Sequence, residues 1–477
     1  MRTILSLVLA VVLIAQSAPA AEPLRAGAAT SNITPDLGSM IIGNFVPVPA
    51  TAVHDELHAR CLVLDDGKTK LALVVCDLLG LHRSVSIEAR RLIEEATGIP
   101  PSHVLISGTH THSAASALGD SRFRSEGPLD DYQRFVARRI ADGVRRAINT
   151  LRPAEIAFGT VEAPEHVFNR RWVMKEGTAA PNPFGKVEKV KMNPVPGSAD
   201  LVEPAGPTDP AISFIALREP GGRPISIFAT YSLHYVGGTG SADISADYFG
   251  MFCAELTRLQ NAADAEPTFV PMLANGTSGD VNNISFREPR PSSGPYVQMK
   301  KVANDVAAKV NAALQKVDWQ QHAALDARYR ELELSWRPVE PELRAWADEK
   351  LKERAGKPRP TDLPTIYADR VEKLAEAENP ALIPLQALRI GDVCIGTFPC
   401  ETFAETGLEF KKRSPFPKSF MVELNHGYFG YLPTPRHFEL GGYETWPGTN
   451  SLEPQASAKM MDALLELAAD MKPAGSK

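Results

Sequence analysis

Cysteine is scarce in this chain: Cys61, Cys76, Cys253, Cys394 and Cys400 are the only five among 477 residues. No two of them have CxxC spacing, so nothing suggests a cysteine-bound metal. Several sit in apolar runs, such as Val74-Val75-Cys76 and Val393-Cys394-Ile395. They read as buried thiols, and no spacing demands a disulfide. A surplus of basic charge is also missing. The formal net charge is −6, with no basic patch, so nucleic acid is excluded as a partner. Long apolar runs are absent beyond the first residues, which leaves no transmembrane span in the mature chain. Apolar content itself is not lacking: 44% hydrophobic residues rule out a disordered chain.

The first residues are the exception to this even texture. Met1-Arg2 precedes an apolar segment from Ile4 to Ala15, followed by the small-residue pattern Ala18-Pro19-Ala20. This predicts a cleavable signal peptide over residues 1–20 and a secreted or periplasmic protein. The expected mature unit, 21–477, is a single catalytic domain.

Short apolar runs bounded by turn residues recur at Cys61–Leu64, Leu71–Val75, Val104–Ile106, Ile212–Ala216, Ile225–Ala229, Phe269–Leu273, Ile395–Phe398 and Phe420–Leu424. Helical patterns alternate with them. In the clearest, Tyr132, Val136, Ile140, Val144 and Ile148 recur every four residues behind Asp130–Asp131. The fold class predicted is α/β: a layered, mixed β-sheet core with flanking helices, long active-site loops and an inserted helical segment. That insertion is placed at 318–380, charged and broken at Lys357-Pro-Arg-Pro360. Residues 174–210, rich in Pro, Gly, Lys and Asn, read as a long exposed excursion.

Chemistry gathers where the apolar runs stop. Val104-Leu-Ile runs into Ser107-Gly-Thr-His-Thr-His112, two histidines that share a side if the backbone stays extended. Ile225 to Leu233 ends in His234, and Ile395-Gly-Thr-Phe-Pro-Cys ends in Glu401. In open α/β sheets, ligands collect at the carboxyl ends of strands. Two histidines and a carboxylate there form the set a hydrolytic zinc site needs, with a position left for water or substrate. Taken singly, each residue fits a satisfied loop or core group as well; the repeated pattern favours the metal.

In order along the chain, "GTHTH", the strand-end His234, "NGTSGDV", "PCETF" before "GLEFKKRSPF", and "YFGYLPTPRHFELGGYE" resemble the catalytic domain of the neutral ceramidase family. The likeness runs from about Arg25 to the end. It implies a zinc amidase with Zn2+ held by His110, His234, Glu401 and Tyr431, the last in preference to Tyr428. It further implies His112 at the reacting centre, Arg170 of "FNRRW" and Tyr443 of "GGYE" at the oxyanion. The expected activity is cleavage of an N-acyl amide, in a lipid or small molecule, by attack of a zinc-bound water. Two alternatives are a metal-dependent esterase or lactonase on a non-lipid substrate, and a non-catalytic binder that keeps the fold.

The pattern departs from the family in one telling place. Where the family reads Gly-Asp-Val-Ser-Pro-Asn, this chain has Gly279-Asp-Val-Asn-Asn283. Asn282 replaces a serine, and an amide is no nucleophile, so its expected part is hydrogen bonding to substrate. Phe438 stands where the family has a tyrosine. No C-terminal β-sandwich domain is expected after the catalytic region.

Overall fold

The computed structural model describes residues 22–43, 46–119, 123–354, 356 and 362–472. Residues 1–20, expected to be a signal peptide, and the Lys357–Pro360 break lie outside them. Three sheets make the core. The first runs in the order Val104–Gly108, Lys70–Cys76, His58–Asp65, Arg25–Asn32, Arg152–Pro153. The second is Val270–Asn275, Pro224–Tyr231, Ala211–Arg218, Glu155–Glu162. The third is Leu325–Leu334, Ala381–Ile390, Val393–Thr397, Lys418–Val422.

Side-chain alternation explains how three sheets share one interior. In His58–Asp65, Leu62 and Leu64 point one way and Cys61 and Val63 the other. Leu62 and Leu64 meet Ile215 and Leu217 of the second sheet and Leu388 and Ile395 of the third, in one cluster. The opposite faces are each covered by helices. Arg83–Thr97 and Asp131–Asn149 pack on the first sheet through Ile93, Val136 and Ile140. Asp247–Leu259 and Val297–Ala313 cover the second through Phe252 and Val302. Ala404–Arg413 and Ala456–Ala469 cover the third through Phe410 and Leu464. Each such fully buried aliphatic side chain contributes roughly 1.5–3 kcal/mol. Asp131–Asn149 opens on a capping box formed by Asp130 and Gln133. It lies so close to Arg25–Asn32 that a Cβ on Gly27 would stand 2.1 Å from the Ala147 carbonyl.

Every sheet contains one parallel strand pair joined through an outer helix. Lys70–Cys76 pairs with Val104–Gly108 across Arg83–Thr97, and Pro224–Tyr231 with Val270–Asn275 across Asp247–Leu259. Val393–Thr397 pairs with Lys418–Val422 across Ala404–Arg413. The carboxyl ends of these six strands meet. Glu423 N donates to Asn275 O at 3.1 Å, His426 N to Ile106 O at 2.9 Å and Gly279 N to Thr402 O at 2.8 Å.

Two expectations need correction. Segment 318–380 is not helical throughout: Leu325–Leu334 is a ten-residue strand pairing along its full length with Ala381–Ile390. Helices occupy only Pro341–Arg354 and Leu363–Ala375. The strand is an edge strand whose charged residues alternate between its two faces, with Arg330 paired to Glu466 and Glu331 to Arg83. Segment 174–210 is partly ordered into a small sheet of Val190–Met192, Arg171–Met174 and Leu201–Pro204. All five cysteines are buried and free. No helix among the described residues is long and apolar enough to cross a membrane.

Candidate metal centre

His110 follows Val104–Gly108 and adopts φ 70°, a left-handed conformation that turns the chain abruptly. Its Nδ1 lies 2.7 Å from the Leu79 carbonyl. A carbonyl only accepts, so Nδ1 carries the hydrogen and Nε2 keeps a lone pair. His234 is held the same way, with Nδ1 3.1 Å from the Ser278 carbonyl. Glu401, at the end of the third parallel pair, receives the Tyr428 hydroxyl on Oε1 at 2.5 Å.

These arrangements aim three atoms at one point. Glu401 Oε2 is 3.1 Å from His110 Nε2 and 3.5 Å from His234 Nε2. The two imidazole centroids are 4.5 Å apart. His234 Nε2 and Glu401 Oε2 are buried with no hydrogen-bond partner. Burial works against the Glu401 carboxylate, while hydrogen bonds from Tyr428 and Tyr431 favour its charged form. Two lone pairs and an anion facing one another across a dry space repel unless a cation sits between them. The donor set, imidazole nitrogen and carboxylate oxygen, is one that zinc accepts. The residues present therefore fit a divalent cation.

His112 stands beside this point, Nε2 3.2 Å from His110 Nε2, its ring stacked on Tyr235 at 3.7 Å. It belongs with His110 and His234 to a group whose ligand atoms all lie within 4.8 Å. Its Nδ1 is buried without a hydrogen bond of ordinary geometry, with the Gly43 backbone the group acting on the ring. Burial first, then His110, pushes its pKa well below the ordinary value. Tyr431 is buried, and that burial raises its phenol well above the usual range, with Arg170 opposing. The Arg170 guanidinium lies over the Tyr431 ring at 5.2 Å, and Tyr443 packs 5.5 Å from Tyr431.

The group opens into a cavity of about 400 Å³, a size suited to a small organic ligand. One wall is apolar, with Ile42, Leu79, Leu118 and Phe123. Leu363–Ala375 adds Asp369, Arg370 and Lys373 to the lining. Asn282 is engaged elsewhere: its amide donates to Asn193 Oδ1 at 2.7 Å and its oxygen accepts from Ile284 N at 2.8 Å. It is Asn193 that lines the cavity.

Sequence reasoning missed Glu444, fully buried between two arginines. Arg170 Nε donates to it at 2.9 Å and Arg171 at 2.5 Å. Its signal was its place beside Tyr443. Tyr428 was passed over for Tyr431, although both stand at Glu401. The carboxylates at nearby strand ends serve the fold: Asp77 pairs with Arg60 at 2.5 Å and accepts from His58 N. Asp247 accepts from Val236 N and Gly237 N, shaping the loop after His234. Asp243 receives the Tyr296 hydroxyl, and His54 stacks on that ring. Asn275 and Asn283, each within a glycosylation pattern, are buried.

No protein-family model matches the chain. Solved structures similar to it include two ceramidases. Neutral ceramidase from Pseudomonas aeruginosa superposes with a TM-score of 0.66 at 18% identity, covering 94% of this chain and 74% of that one. A ceramidase complexed with C2 gives 0.69 at 16% identity, covering 96% and 77%. The chain has the neutral ceramidase fold.

Proposed function

We propose that this chain is an exported, zinc-dependent hydrolase of N-acyl amides. The observation that carries the reading is the convergence of His110 Nε2, His234 Nε2 and Glu401 Oε2, two of them buried without partners. The shared fold with two ceramidases supports the amide as the bond cleaved. Export rests on the pattern of residues 1–20.

His110, His234, Glu401 and Tyr431 would hold the cation. Zinc there supplies a Lewis acid that brings the pKa of water toward neutrality. The rest falls to the protein. His112, pushed low and so unprotonated near neutral pH, is in the form that accepts a proton at Nε2. Returning it to the departing amine nitrogen makes an otherwise poor leaving group leave, a contribution of about 10²–10⁴ in rate. Arg170 and Tyr443 face the cavity with donors for the oxygen that gains charge, an effect of about 3–4 kcal/mol per donor in comparable sites. Asn282 offers no nucleophile, which leaves water as the attacking group.

The mixed lining of apolar and charged side chains suits an N-acyl amide with an apolar acyl arm and a polar or charged amine portion. Metal analysis of the purified protein followed by a series of N-acyl compounds, varied in chain length and head group, tests the proposal. One equivalent of zinc and metal-dependent amide cleavage are expected. Cleavage of esters alone, or full function after Glu401→Gln, would overturn it.

A further inference from the structure

Glu423 is a fully buried carboxylate that the chemistry above leaves without a task. It ends the strand Lys418–Val422, one residue beyond its last ladder position. Both side-chain oxygens are engaged, and on different loops. Oε1 accepts the Ser278 hydroxyl at 2.7 Å, and Oε2 accepts Thr402 N at 2.6 Å. Ser278 is the residue whose carbonyl receives His234 Nδ1–H, and its hydroxyl lies 3.3 Å from the same nitrogen. Thr402 follows Glu401 directly. The main chain of Glu423 is fixed as well, through Glu423 N to Asn275 O at 3.1 Å.

One side chain thus grips the group that orients one proposed ligand and the peptide that carries another. Because the two ligands come from different sheets, no ladder hydrogen bond sets their separation. Bonds between loops must do so: Gly279 N to Thr402 O, and the Glu423 bridge. The Gly279 contact has no slack, since a Cβ there would lie 2.4 Å from the Glu401 carbonyl.

We infer that Glu423 is a positioning residue of the metal centre, setting the separation of His234 and Glu401 by bridging Ser278 and Thr402. The inference rests on the reading of that centre as a cation site. Outer groups that orient ligands typically change metal affinity by 10–100-fold when removed. Glu423→Ala loses both bridges. Glu423→Gln keeps the length, an oxygen for Thr402 N and an amide that donates to the Ser278 oxygen.

The test uses the purified full chain with Zn2+ and Co2+ as probes. Zinc affinity is measured by chelator competition, coordination by the visible absorption of the cobalt form, and folding of the metal-free form by near-ultraviolet circular dichroism and melting. Expected are one equivalent of zinc in the parent, at least 10-fold weaker zinc binding with an altered cobalt spectrum for Glu423→Ala, and affinity within about 3-fold for Glu423→Gln. A purely structural role would lower the melting temperature of the metal-free form and leave zinc affinity and the cobalt spectrum of the folded fraction unchanged. That result, or equal losses in the Gln and Ala variants, overturns the inference. Should Glu423→Ala not fold, Ser278→Ala takes its place. It keeps the carbonyl and removes the hydroxyl bridge, and zinc binding weakened about 3–10-fold is expected, while parental affinity overturns the inference. Failure of the parent chain itself to take up zinc or cobalt would instead refute the proposed function.

Discussion

Replacing Glu444 with glutamine tests how the oxyanion side of the site is held. The carboxylate is fully buried, and so is Arg171, its nearer partner; Arg170 is nearly so. Glutamine preserves shape and one acceptor but removes the charge that ion-pairs directly with both guanidinium groups. Breaking a buried pair from one side costs about 3–5 kcal/mol, because the remaining charge stays in a poorly polarisable interior. Unfolding entropy of about 2.1 cal/mol/K per residue gives about 1 kcal/mol/K for a chain of 477 residues. Glu444→Gln should therefore melt roughly 3–5 K lower by calorimetry. Arg171 keeps its bond to the Gly441 carbonyl at 2.7 Å, whereas Arg170 loses the acceptor of its Nε. The rate of amide cleavage should consequently fall at least about 10-fold while zinc content stays at the parental value. A melting temperature within 1 K of the parent together with an unchanged rate would refute this account of the clamp.

Other consequences follow from the same geometry. Glu401→Gln should abolish both stoichiometric zinc and hydrolysis, checked by elemental analysis and amide assay on one preparation. Dialysis against a chelator should lower the melting temperature by about 3 K where zinc had stood near 100 times its Kd, since that occupancy stabilises by about 2.7 kcal/mol; zinc should restore it. Burial works to raise Glu405, but hydrogen bonds from His437, Arg436 and Thr434 hold it at about 2 against an ordinary 4.5. A depressed carboxyl stabilises the fold fully above about 4.5 and loses that contribution as pH falls toward 2; after solvent screening this is about 2 kcal/mol. Acid melting curves of Glu405→Gln should be correspondingly flatter between those values. Lys373→Glu reverses a charge on the cavity wall and should shift the preference, as a ratio of kcat/KM, away from anionic and toward cationic head groups by about 10-fold.

The sequence revealed the apolar strands best. The eight runs read from it all fall on or overlap observed strands, because central strands are continuous stretches of Val, Ile and Leu bounded by turns. It hid Arg25–Asn32, whose small residues carry no apolar signal; that strand exists because Ala26 and Ala28 fill a space already lined by Leu62 and Leu64. It hid Leu325–Leu334 behind charge. His110, His234 and Glu401 were legible because each breaks a strand with a chemical group, a pattern one residue long but repeated. Tyr428 and Glu444 lay inside the quoted motifs, yet only distance separates them from their neighbours. Glu423 had no sequence signal at all, since its meaning depends on Thr402 and Ser278, 21 and 145 residues before it.

The placement of the centre follows from the repetition of one local device in three sheets. In each parallel pair, one strand end supplies a donor to the centre and its neighbour supplies the group that orients it: His110 with Leu79, His234 with Ser278, Glu401 with Tyr428. Parallel pairing puts both ends at the same edge of the sheet, so donor and orienting group are neighbours whatever the length of the intervening helix. A single such unit can hold only one donor rigidly, and one donor binds no cation. Three sheets closing on a common apolar interior bring three pre-oriented donors together without any loop having to reach far. This predicts where substitutions are tolerated. Exchanges between one sheet and its own helices that preserve volume should leave zinc affinity intact, because the donor and its orienting group move as a body. Changes at the contacts between sheets, such as Gly279→Ala against the Glu401 carbonyl, should lose zinc before they lose the fold. If exchanges such as Ile140→Leu, between the first sheet and its helices, weakened zinc binding as much as Gly279→Ala, the three units would not be the rigid bodies this reasoning requires.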